Sequence, residues 1–313
     1  MPIVEINNLT KDYEVGFLRK RKVRALDGLT LSVEANQIFG FLGANGAGKT
    51  TTLKLLMRLI FPTSGNARIL GSDINDFSMH QRIGYVPENP YFYDYLSARE
   101  LLDYCGQLFG LSAAERRKRT NALLSRVRLD QKRWDTQLRK FSKGMLQRVG
   151  LAQSLINDPE IVFLDEPMSG LDPVGRREVR DLIASLRDEG KTVFMCSHIL
   201  SDIEVLCDQV AILKRGKLSQ VGHLDELRQS SDSRNRLEVL ATGTDADTLK
   251  RYLSSTEVAS TPRGLKIEIE SENEVENVLA ALRQAGGKLV SVQPVKQSLE
   301  ELFLDTPNTT STS

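Results

Sequence analysis

One glycine-rich segment constrains the fold of this chain more than any other feature. The apolar run 38–42 has the length of a strand, and apolar residues at helical spacing follow at 51–60, before Pro62. Between these runs the chain reads Gly43-Ala44-Asn45-Gly46-Ala47-Gly48-Lys49-Thr50. Glycines at this spacing let the backbone turn its N–H groups toward a phosphate, and the following helix adds its positive N-terminal end. The pattern predicts a strand, a phosphate-binding loop and a helix.

Two side chains of this loop have chemistry that suits a nucleotide. Lys49 can reach the β- and γ-phosphates, and the Thr50 hydroxyl can hold Mg²⁺. The alternative is a glycine-rich turn that binds nothing. The predicted strand and helix on the correct sides of the motif argue against that alternative.

The rest of the core is predicted from two more apolar runs, 161–164 and 192–195. Both are continuous rather than alternating, which is typical of strands buried on both faces of a parallel sheet. A helical stretch at 176–188 lies between them, so strands and helices alternate as in an α/β core. The segment 2–40 instead has the pattern of short β segments, and Leu29, Leu31 and Val33 alternate with polar residues as in a half-buried antiparallel strand.

Functional side chains stand at the ends of these two runs, as Asp165-Glu166 and Ser197-His198. Ligands of parallel sheets sit beyond the carboxyl ends of the strands. There Asp165 suits a Mg²⁺ ligand, and Glu166 suits a base that positions and deprotonates an attacking water. The alternatives are an acidic strand end that caps the next turn and a purely structural His198.

The composition limits the class of protein. The chain is 40% hydrophobic and 27% charged, which indicates a folded core, and its net charge of +1 does not indicate nucleic acid as a partner. Cys105, Cys196 and Cys207 form no CxxC pair and are expected to be reduced thiols. No stretch approaches the roughly 20 apolar residues of a membrane span. We therefore expect a cytoplasmic protein in which any membrane role comes through a partner or the membrane surface.

The motifs, taken in order, resemble a known family. The span from about Ile3 to Val221 is similar to an ABC ATPase domain, and the decisive element is Phe141-Ser142-Lys143-Gly144-Met145-Leu146-Gln147-Arg148, which resembles the ABC signature. A helix predicted at 145–156 would place the Ser142 hydroxyl and the Gly144 N–H at a positive helix end that suits a γ-phosphate. The segment 169–172 resembles the family's D-loop, His198 its switch histidine, and Tyr13 the residue that stacks on adenine.

This chain departs from the family at several positions. Glu88 stands where the family usually has a glutamine that touches Mg²⁺ and the attacking water, and Ala44 replaces a frequent proline. Lys143 and Met145 replace the commonest signature residues. A carboxylate at 88 can still bind Mg²⁺, but it adds negative charge beside the phosphates.

Two surface features each have two interpretations. The aromatic cluster at 91–96 opens the predicted helical subdomain and is either a groove for a helix of a membrane subunit or ordinary core packing. The basic run at 19–24 either lies against anionic lipid or is a solvated hairpin.

The fold class implied is α/β, a P-loop ABC ATPase domain with an antiparallel β subdomain and a helical subdomain, plus a small α+β C-terminal domain. We predict the ATPase domain at 1–228, with its helical subdomain at about 89–156, and a serine-rich linker at 229–235. A ferredoxin-like βαββαβ domain follows at 236–305, with strands at 236–241, 257–260, 265–269 and 288–294 and helices at 245–253 and 272–285. A disordered tail is expected at 306–313.

The resemblance implies an ATP-hydrolysing subunit of a prokaryotic ABC-2 type exporter at the cytoplasmic face of the membrane, with ATP and Mg²⁺ as cofactors. Its partners would be integral membrane permease subunits and a second copy of itself, without nucleic acid. Catalysis is assigned to Glu166, His198 and Glu88, and metal binding to Thr50, Asp165 and Glu88. Nucleotide binding is assigned to Tyr13, Gly43, Asn45, Gly46, Gly48, Lys49, Thr50, Thr51, Ser142, Gly144 and Asp172.

Two other functions remain open at this stage. A soluble ABC ATPase of translation or DNA repair usually has two ATPase domains or a long coiled-coil insertion, and neither is visible in the sequence. A scaffold that binds ATP without turnover would not need Lys49, Glu166 and His198 together.

Overall fold

The computed structural model describes residues 2–16, 21–229, 237–253, 257–261, 264–269 and 273–294. The chain divides into two compact units, one up to Leu224 and one from Asp225 onward. Of the predicted linker, 230–235 lies outside the described residues, as does the predicted tail at 306–313.

The first unit alternates strands and helices after an antiparallel start. In chain order its elements are β1 (Pro2–Val15), β2 (Arg21–Glu34), β3 (Ile38–Leu42), α1 (Lys49–Leu56), β4 (Ser64–Ile69), β5 (Ser72–Asp73), β6 (Ile83–Val86), α2 (Ala98–Leu108), α3 (Ala113–Arg126), α4 (Lys143–Ser154), β7 (Ile161–Asp165), α5 (Pro173–Asp188), β8 (Thr192–Ser197), α6 (Leu200–Leu206), β9 (Gln209–Lys214) and β10 (Lys217–His223). A short helix, α7 (Leu224–Gln229), follows.

The core of this unit is a six-stranded sheet in the order β10-β9-β3-β8-β7-β6. The five strands from β9 to β6 pair in parallel, and β10 pairs antiparallel with β9. Every residue of β3, β7 and β8 is buried, as their continuous apolar runs predict. Because these strands run in parallel, their carboxyl ends meet at one edge.

A second sheet carries the antiparallel segment, in the order β2-β1-β4-β5. Leu29, Leu31 and Val33 of β2 are buried while the residues between them are exposed, which is the predicted alternation. Of the basic run, Arg19 and Lys20 lie outside the described residues, and Arg24 forms ion pairs with Asp12 at 2.8 Å and Asp27 at 2.9 Å.

The helix of the phosphate loop is shorter than the predicted 51–60, and Pro62 does not end it. It ends at Leu56, because Arg58 takes a left-handed conformation with φ 52°. The Leu59 N–H then bonds the Lys54 carbonyl at 2.8 Å and the Arg58 N–H bonds the Leu55 carbonyl at 3.0 Å. These two bonds are a Schellman motif, which satisfies the last carbonyls of the helix.

Two other helices begin earlier than predicted, each at a capping side chain. The Ser142 hydroxyl accepts a hydrogen bond from the Met145 N–H at 3.3 Å, so α4 begins at Lys143 and ends at Ser154 rather than spanning 145–156. The Asp172 carboxylate accepts from the Gly175 N–H at 2.7 Å, so α5 begins at Pro173. Such caps satisfy N–H groups that the helix leaves open.

The second unit contains β11 (Leu237–Thr242), α8 (Ala246–Lys250), β12 (Glu257–Thr261), β13 (Gly264–Ile269), α9 (Asn273–Gln284) and β14 (Lys288–Pro294). Its sheet is antiparallel in the order β12-β13-β11-β14, the strand order of a ferredoxin-like arrangement. One apolar cluster, which includes Val239, Leu249, Ile267 and Val278, forms its own core.

Two further findings concern the cysteines and the helices within the described ranges. The three cysteines are buried and unpaired. Within the same ranges, none of the helices combines the length and the apolar character that crossing a bilayer requires.

Candidate functional site: a phosphate loop with a buried carboxylate

The phosphate loop joins the end of β3 to the start of α1. Gly46 and Gly48 have φ values of 81° and 112°, a conformation that favours glycine. A Cβ on Gly48 would come within 2.7 Å of the Ala25 carbonyl oxygen, so only glycine fits there. The loop therefore keeps its backbone N–H groups free of side chains that would cover them.

Lys49 is the first residue of α1, and its side chain is only 6% exposed. Its Nζ donates to the Gly43 carbonyl at 2.6 Å and to the Ala44 carbonyl at 3.4 Å, and lies 3.2 Å from Glu166 Oε1. The ammonium is thus held inside the loop by groups that an incoming phosphate can replace.

Glu166 follows β7 directly, and its carboxylate lies between the side chains of Lys49 and His198. Its Oε2 lies 2.8 Å from His198 Nδ1 and 3.3 Å from the His198 backbone N–H, while its Oε1 faces Lys49. The Glu166 backbone N–H donates to the Cys196 carbonyl at 3.0 Å, which ties this residue to the end of β8. Adjacent parallel strands therefore bring the predicted base and the predicted switch histidine into direct contact.

Asp165 is 1% exposed and lies next to Thr50. Burial raises the pKa of its carboxyl, a hydrogen bond from the Thr50 hydroxyl lowers it, and the charges of Glu166 and Glu88 raise it again. Its Oδ1 has no hydrogen-bond partner among the described residues. A buried, unpartnered carboxylate oxygen beside a hydroxyl is the donor set that a hard divalent cation prefers.

The side chains of Lys49, Glu166 and His198 line one cavity of about 660 Å³. Nine of the predicted site residues line it: Asn45, Gly46, Gly48, Lys49, Thr50, Thr51, Glu88, Glu166 and His198. Ala25 and Ser169 also line it and were not among the predicted residues. Ser169 could have been included from the D-loop pattern, whereas no sequence pattern indicated that β2 brings Ala25 to the loop.

The other predicted residues do not line this cavity. Gly43 lies beneath Lys49 and Asp165 lies behind Thr50. Ser142 and Asp172 cap α4 and α5, and Gly144 stands in the first turn of α4. The ring of Tyr13 is half-buried under Lys11, whose Nζ is 5.2 Å from the ring centroid.

The signature segment instead contacts the D-loop of its own chain. Gly170 has φ 67°, and a Cβ there would come within 2.5 Å of Lys143 Nζ. A Cβ on Gly144 would lie 3.8 Å from Leu171 Cδ2, so the side chain of Leu171 also lies close to the signature segment. The N-terminal end of α4 is therefore presented beside the D-loop, and not to Lys49 of the same chain.

Two family models match the chain. Residues 26–169 match the ABC transporter family, and residues 222–306 match the C-terminal domain of DrrA1-3-like ATP-binding proteins.

Curated relatives cover between 72% and 96% of the chain. An uncharacterised ABC transporter ATP-binding protein of Synechocystis is 44% identical over 96% of this chain and 84% of its own length. The daunorubicin resistance ATP-binding protein DrrA3 of Streptomyces coeruleorubidus is 34% identical over 90% of each chain. The bacitracin transport ATP-binding protein BcrA of Bacillus licheniformis is 41% identical over 72% of each.

Solved structures resemble about 70% of the chain. A dimeric, post-hydrolysis state of an ATP-binding cassette bound to ADP and phosphate has a TM-score of 0.65 and 27% identity, over 71% of this chain and 98% of that chain. An ATP-binding subunit of an ABC transporter has a TM-score of 0.63 and 30% identity, over 72% and 92% of the two chains.

Proposed function

This chain belongs to the ABC transporter ATP-binding family, and from that premise we propose that two copies of it clamp two ATP molecules and drive export through separate membrane subunits. The chain is the ATP-binding and hydrolysing subunit of an ABC transporter. The proposal adds the residues that act, the metal, the second copy and the direction of transport.

One observation carries the proposal: Lys49, Glu166 and His198 meet around a single cavity, with contacts of 3.2 Å and 2.8 Å. The loop N–H groups and the positive end of α1 suit the phosphates of ATP. In this arrangement Lys49 leaves the Gly43 carbonyl for phosphate oxygens, because a charged acceptor binds an ammonium more strongly than a carbonyl does.

Glu166 is assigned as the base for the attacking water. Its carboxylate is almost buried, and His198 and Lys49 hold both of its oxygens. When Lys49 turns to the phosphates, Glu166 Oε1 becomes free to accept a proton from water, while His198 keeps Oε2 in place. Positioning and proton abstraction are thus performed by one side chain held on both sides.

Mg²⁺ is proposed to lie at Thr50 and Asp165, with Glu88 as a further carboxylate at the rim of the cavity. The unpartnered, buried Oδ1 of Asp165 supports this placement. Among the described residues, no group of three or more His, Cys, Asp or Glu side chains is arranged to hold a metal ion by itself. Mg²⁺ held by Thr50 and Asp165 would neutralise phosphate charge.

A second copy is proposed to complete the site. The Ser142 hydroxyl, the Gly144 N–H and the Asp172 carboxylate do not line the cavity around Lys49 of their own chain. The N-terminal end of α4 carries lysine at its first position and no acidic residue in its first turn, which suits an anion brought by another chain.

Export is supported by the relatives, which are named for bacitracin transport and daunorubicin resistance. We place the subunit at the cytoplasmic face of the membrane, where ATP is available. Tyr91, Tyr93 and Tyr95 are 98%, 55% and 60% exposed, so these rings of the aromatic cluster do not pack in the core and are offered as contacts for a permease helix. A role in translation or DNA repair is not favoured, because the relatives named here are transporter ATPases.

The test is Glu166→Gln, which keeps the shape of the side chain and removes the base. Since a positioned base contributes about 10²- to 10⁴-fold, we expect ATP turnover to fall at least about 100-fold while ATP binding persists. Phosphate release and binding of a fluorescent ATP analogue measure the two quantities. Glu160→Gln is the matched control, because Glu160 pairs with Arg82 on the surface and should leave turnover unchanged. Turnover within a few-fold of wild type for Glu166→Gln would contradict the assignment.

A further inference from the structure

We propose that a charge cluster formed by the buried Asp202 and the half-buried Arg176 and Arg180 positions Glu166 and His198 for ATP hydrolysis. We call it the Asp202 cluster. The inference rests on the ATPase function proposed above and adds three positioning residues that touch neither nucleotide nor metal.

Asp202 is 1% exposed, an unusual burial for a carboxylate. Its Oδ1 lies 3.6 Å from Arg180 Nη2 and 4.0 Å from Arg176 Nη1. Neither carboxylate oxygen has a hydrogen-bond partner within the described ranges, and the same holds for Arg180 Nε. A buried carboxylate is costly unless cations compensate it, so the two arginines must stay close for this site to be stable.

The Asp202 cluster joins α5 and α6, the helices that follow Glu166 and His198 along the chain. Arg176 and Arg180 are one turn apart on α5, which begins just after the D-loop. Asp202 stands in the first turn of α6, four residues after His198. The ion pairs therefore connect α5, which follows the D-loop, to α6, which follows His198.

The contacts form a closed ring through Glu166. The Ser169 N–H bonds the Glu166 carbonyl at 3.0 Å, and the D-loop then leads into α5. The Asp202 cluster connects α5 to α6, and α6 leads back to His198, which holds Glu166 Oε2 at 2.8 Å. Burial raises the pKa of the Asp202 carboxyl, and the charges of Arg176 and Arg180 lower it.

A ring of this kind matters for the rate more than for nucleotide affinity. The phosphate loop is not part of it, so ATP can bind when the ring is loosened. The orientation of Glu166 toward the attacking water does depend on it, and small misplacements of a catalytic group lower the rate steeply.

The chain offers well-matched variants. Asp202→Asn keeps the shape and removes the charge, and Arg180→Gln removes the nearer cation. Arg177→Gln is the control, because Arg177 lies on the same helix between the two arginines but is exposed, and none of the ion pairs within the described part of the chain includes it.

The experiment measures kcat and KM for ATP on the full chain, together with the melting temperature. We expect kcat to fall about tenfold in Asp202→Asn and Arg180→Gln, with KM within about twofold of wild type. Arg176→Gln should have a smaller effect, since Arg176 is the more distant partner. The double variant Asp202→Asn/Arg180→Gln should be no worse than the worse single variant, because both remove the same link. Arg177→Gln should match wild type.

Two outcomes would overturn the proposal. One is a kcat within twofold of wild type for folded Asp202→Asn or Arg180→Gln. The other is an equal loss in Arg177→Gln. A merely structural cluster would lower the melting temperature and leave kcat per folded molecule unchanged; if Asp202→Asn does not fold, Arg180→Gln and Arg176→Gln decide. A wild-type chain without ATP turnover would instead overturn the proposed function, and this inference with it.

Discussion

Glu166 adopts a backbone conformation that residues other than glycine usually avoid, with φ 49°. Such a conformation costs about 1–2 kcal/mol for an L-residue. The turn directs the carboxylate back toward Lys49 and His198 instead of letting it follow the chain into the D-loop. The contacts to these two side chains offset the cost, so strain at this residue accompanies the placement of the base.

Glu88 is one of the positions at which this chain differs from the usual residue of its family, here a glutamine. It lines the cavity, and its charge is one of those that raise the pKa of Asp165. We expect Glu88→Gln to leave ATP affinity within about twofold of wild type, because Lys49 and the loop N–H groups hold the phosphates. Glu88→Ala should raise the Mg²⁺ concentration needed for half-maximal turnover, and weaken transport more than ATP binding.

A Mg²⁺ titration of ATP turnover and a nucleotide-binding titration separate these effects of Glu88. Asp188→Ala serves as the control, since Asp188 lies at the exposed end of α5. An unchanged Mg²⁺ requirement and unchanged transport for Glu88→Ala would remove Glu88 from the mechanism.

At the scale of residues, the sequence predicted which side chains lie together around the site. Motif spacing and apolar runs are local patterns, and the carboxyl ends of parallel strands meet at one edge of a sheet. It could not predict the left-handed Glu166 or the burial of Asp202. Both depend on packing between elements that are distant in sequence. Asp202 in particular looks like an ordinary polar residue in the first turn of a helix.

At the scale of elements, β6 packs closely against the C-terminal end of α4, the helix that begins after Ser142. A Cβ on Gly84 of β6 would clash with the Ser154 carbonyl oxygen at the end of α4 and would meet Pro159 at 3.3 Å. Backbone cannot yield as a flexible side chain does, so Gly84→Ala should destabilise the chain by about 1–3 kcal/mol. It should also lower ATP turnover per folded molecule, because α4 carries Ser142.

Gly150→Ala is the matched control for this prediction. Gly150 lies within α4, and its Cβ would meet only side-chain carbons at 3.4–3.5 Å. Alanine favours a helix over glycine by about 1 kcal/mol, so this variant should be as stable as wild type or more so. Thermal unfolding of the two variants measures the difference, and equal stability would contradict the packing argument.

The ends of helices mark the limit of prediction for elements. Hydrophobic spacing predicted α1, α4 and α5, but it extended α1 beyond Leu56 and placed the starts of α4 and α5 late. The true ends are set by single residues, the left-handed Arg58 and the capping side chains of Ser142 and Asp172. Apolar spacing is insensitive to such residues, since they lie outside the apolar face.

At the scale of the whole molecule, the two units should be separable in function. Each has its own apolar cluster, and each residue assigned to nucleotide or metal precedes position 200. A chain that ends at Gln229 should therefore fold and bind ATP with a Kd within about threefold of the full chain. Circular dichroism and titration with a fluorescent ATP analogue test this. A folded but non-binding short chain would show that the second unit is needed for the site.

The second copy proposed above explains why one chain carries two half-sites that do not meet. Lys49, Glu166 and His198 surround one cavity, while the Ser142 end of α4 lies beside its own D-loop. ATP supplies several negative charges between two positive ends, the phosphate loop and the start of α4. ATP should therefore hold two copies together, and loss of the γ-phosphate should release them.

Mixing two inactive variants tests whether the site is shared. Ser142→Arg places bulk and charge at the start of α4, and Glu166→Gln removes the base, so each homodimer should hydrolyse little ATP. A mixed dimer has one site with both defects and one site with none, so mixing should restore up to about half of the turnover per dimer if independent sites are completed across the interface.

Mixed dimers that form and stay inactive leave two explanations: completion within one chain, or a requirement that both sites work. A cross-link between Ser142→Cys and Asn45→Cys separates them, because α4 of one copy can reach the phosphate loop of the other only if the site is shared. An inactive mixed dimer without an intermolecular cross-link in the presence of ATP would refute the shared site.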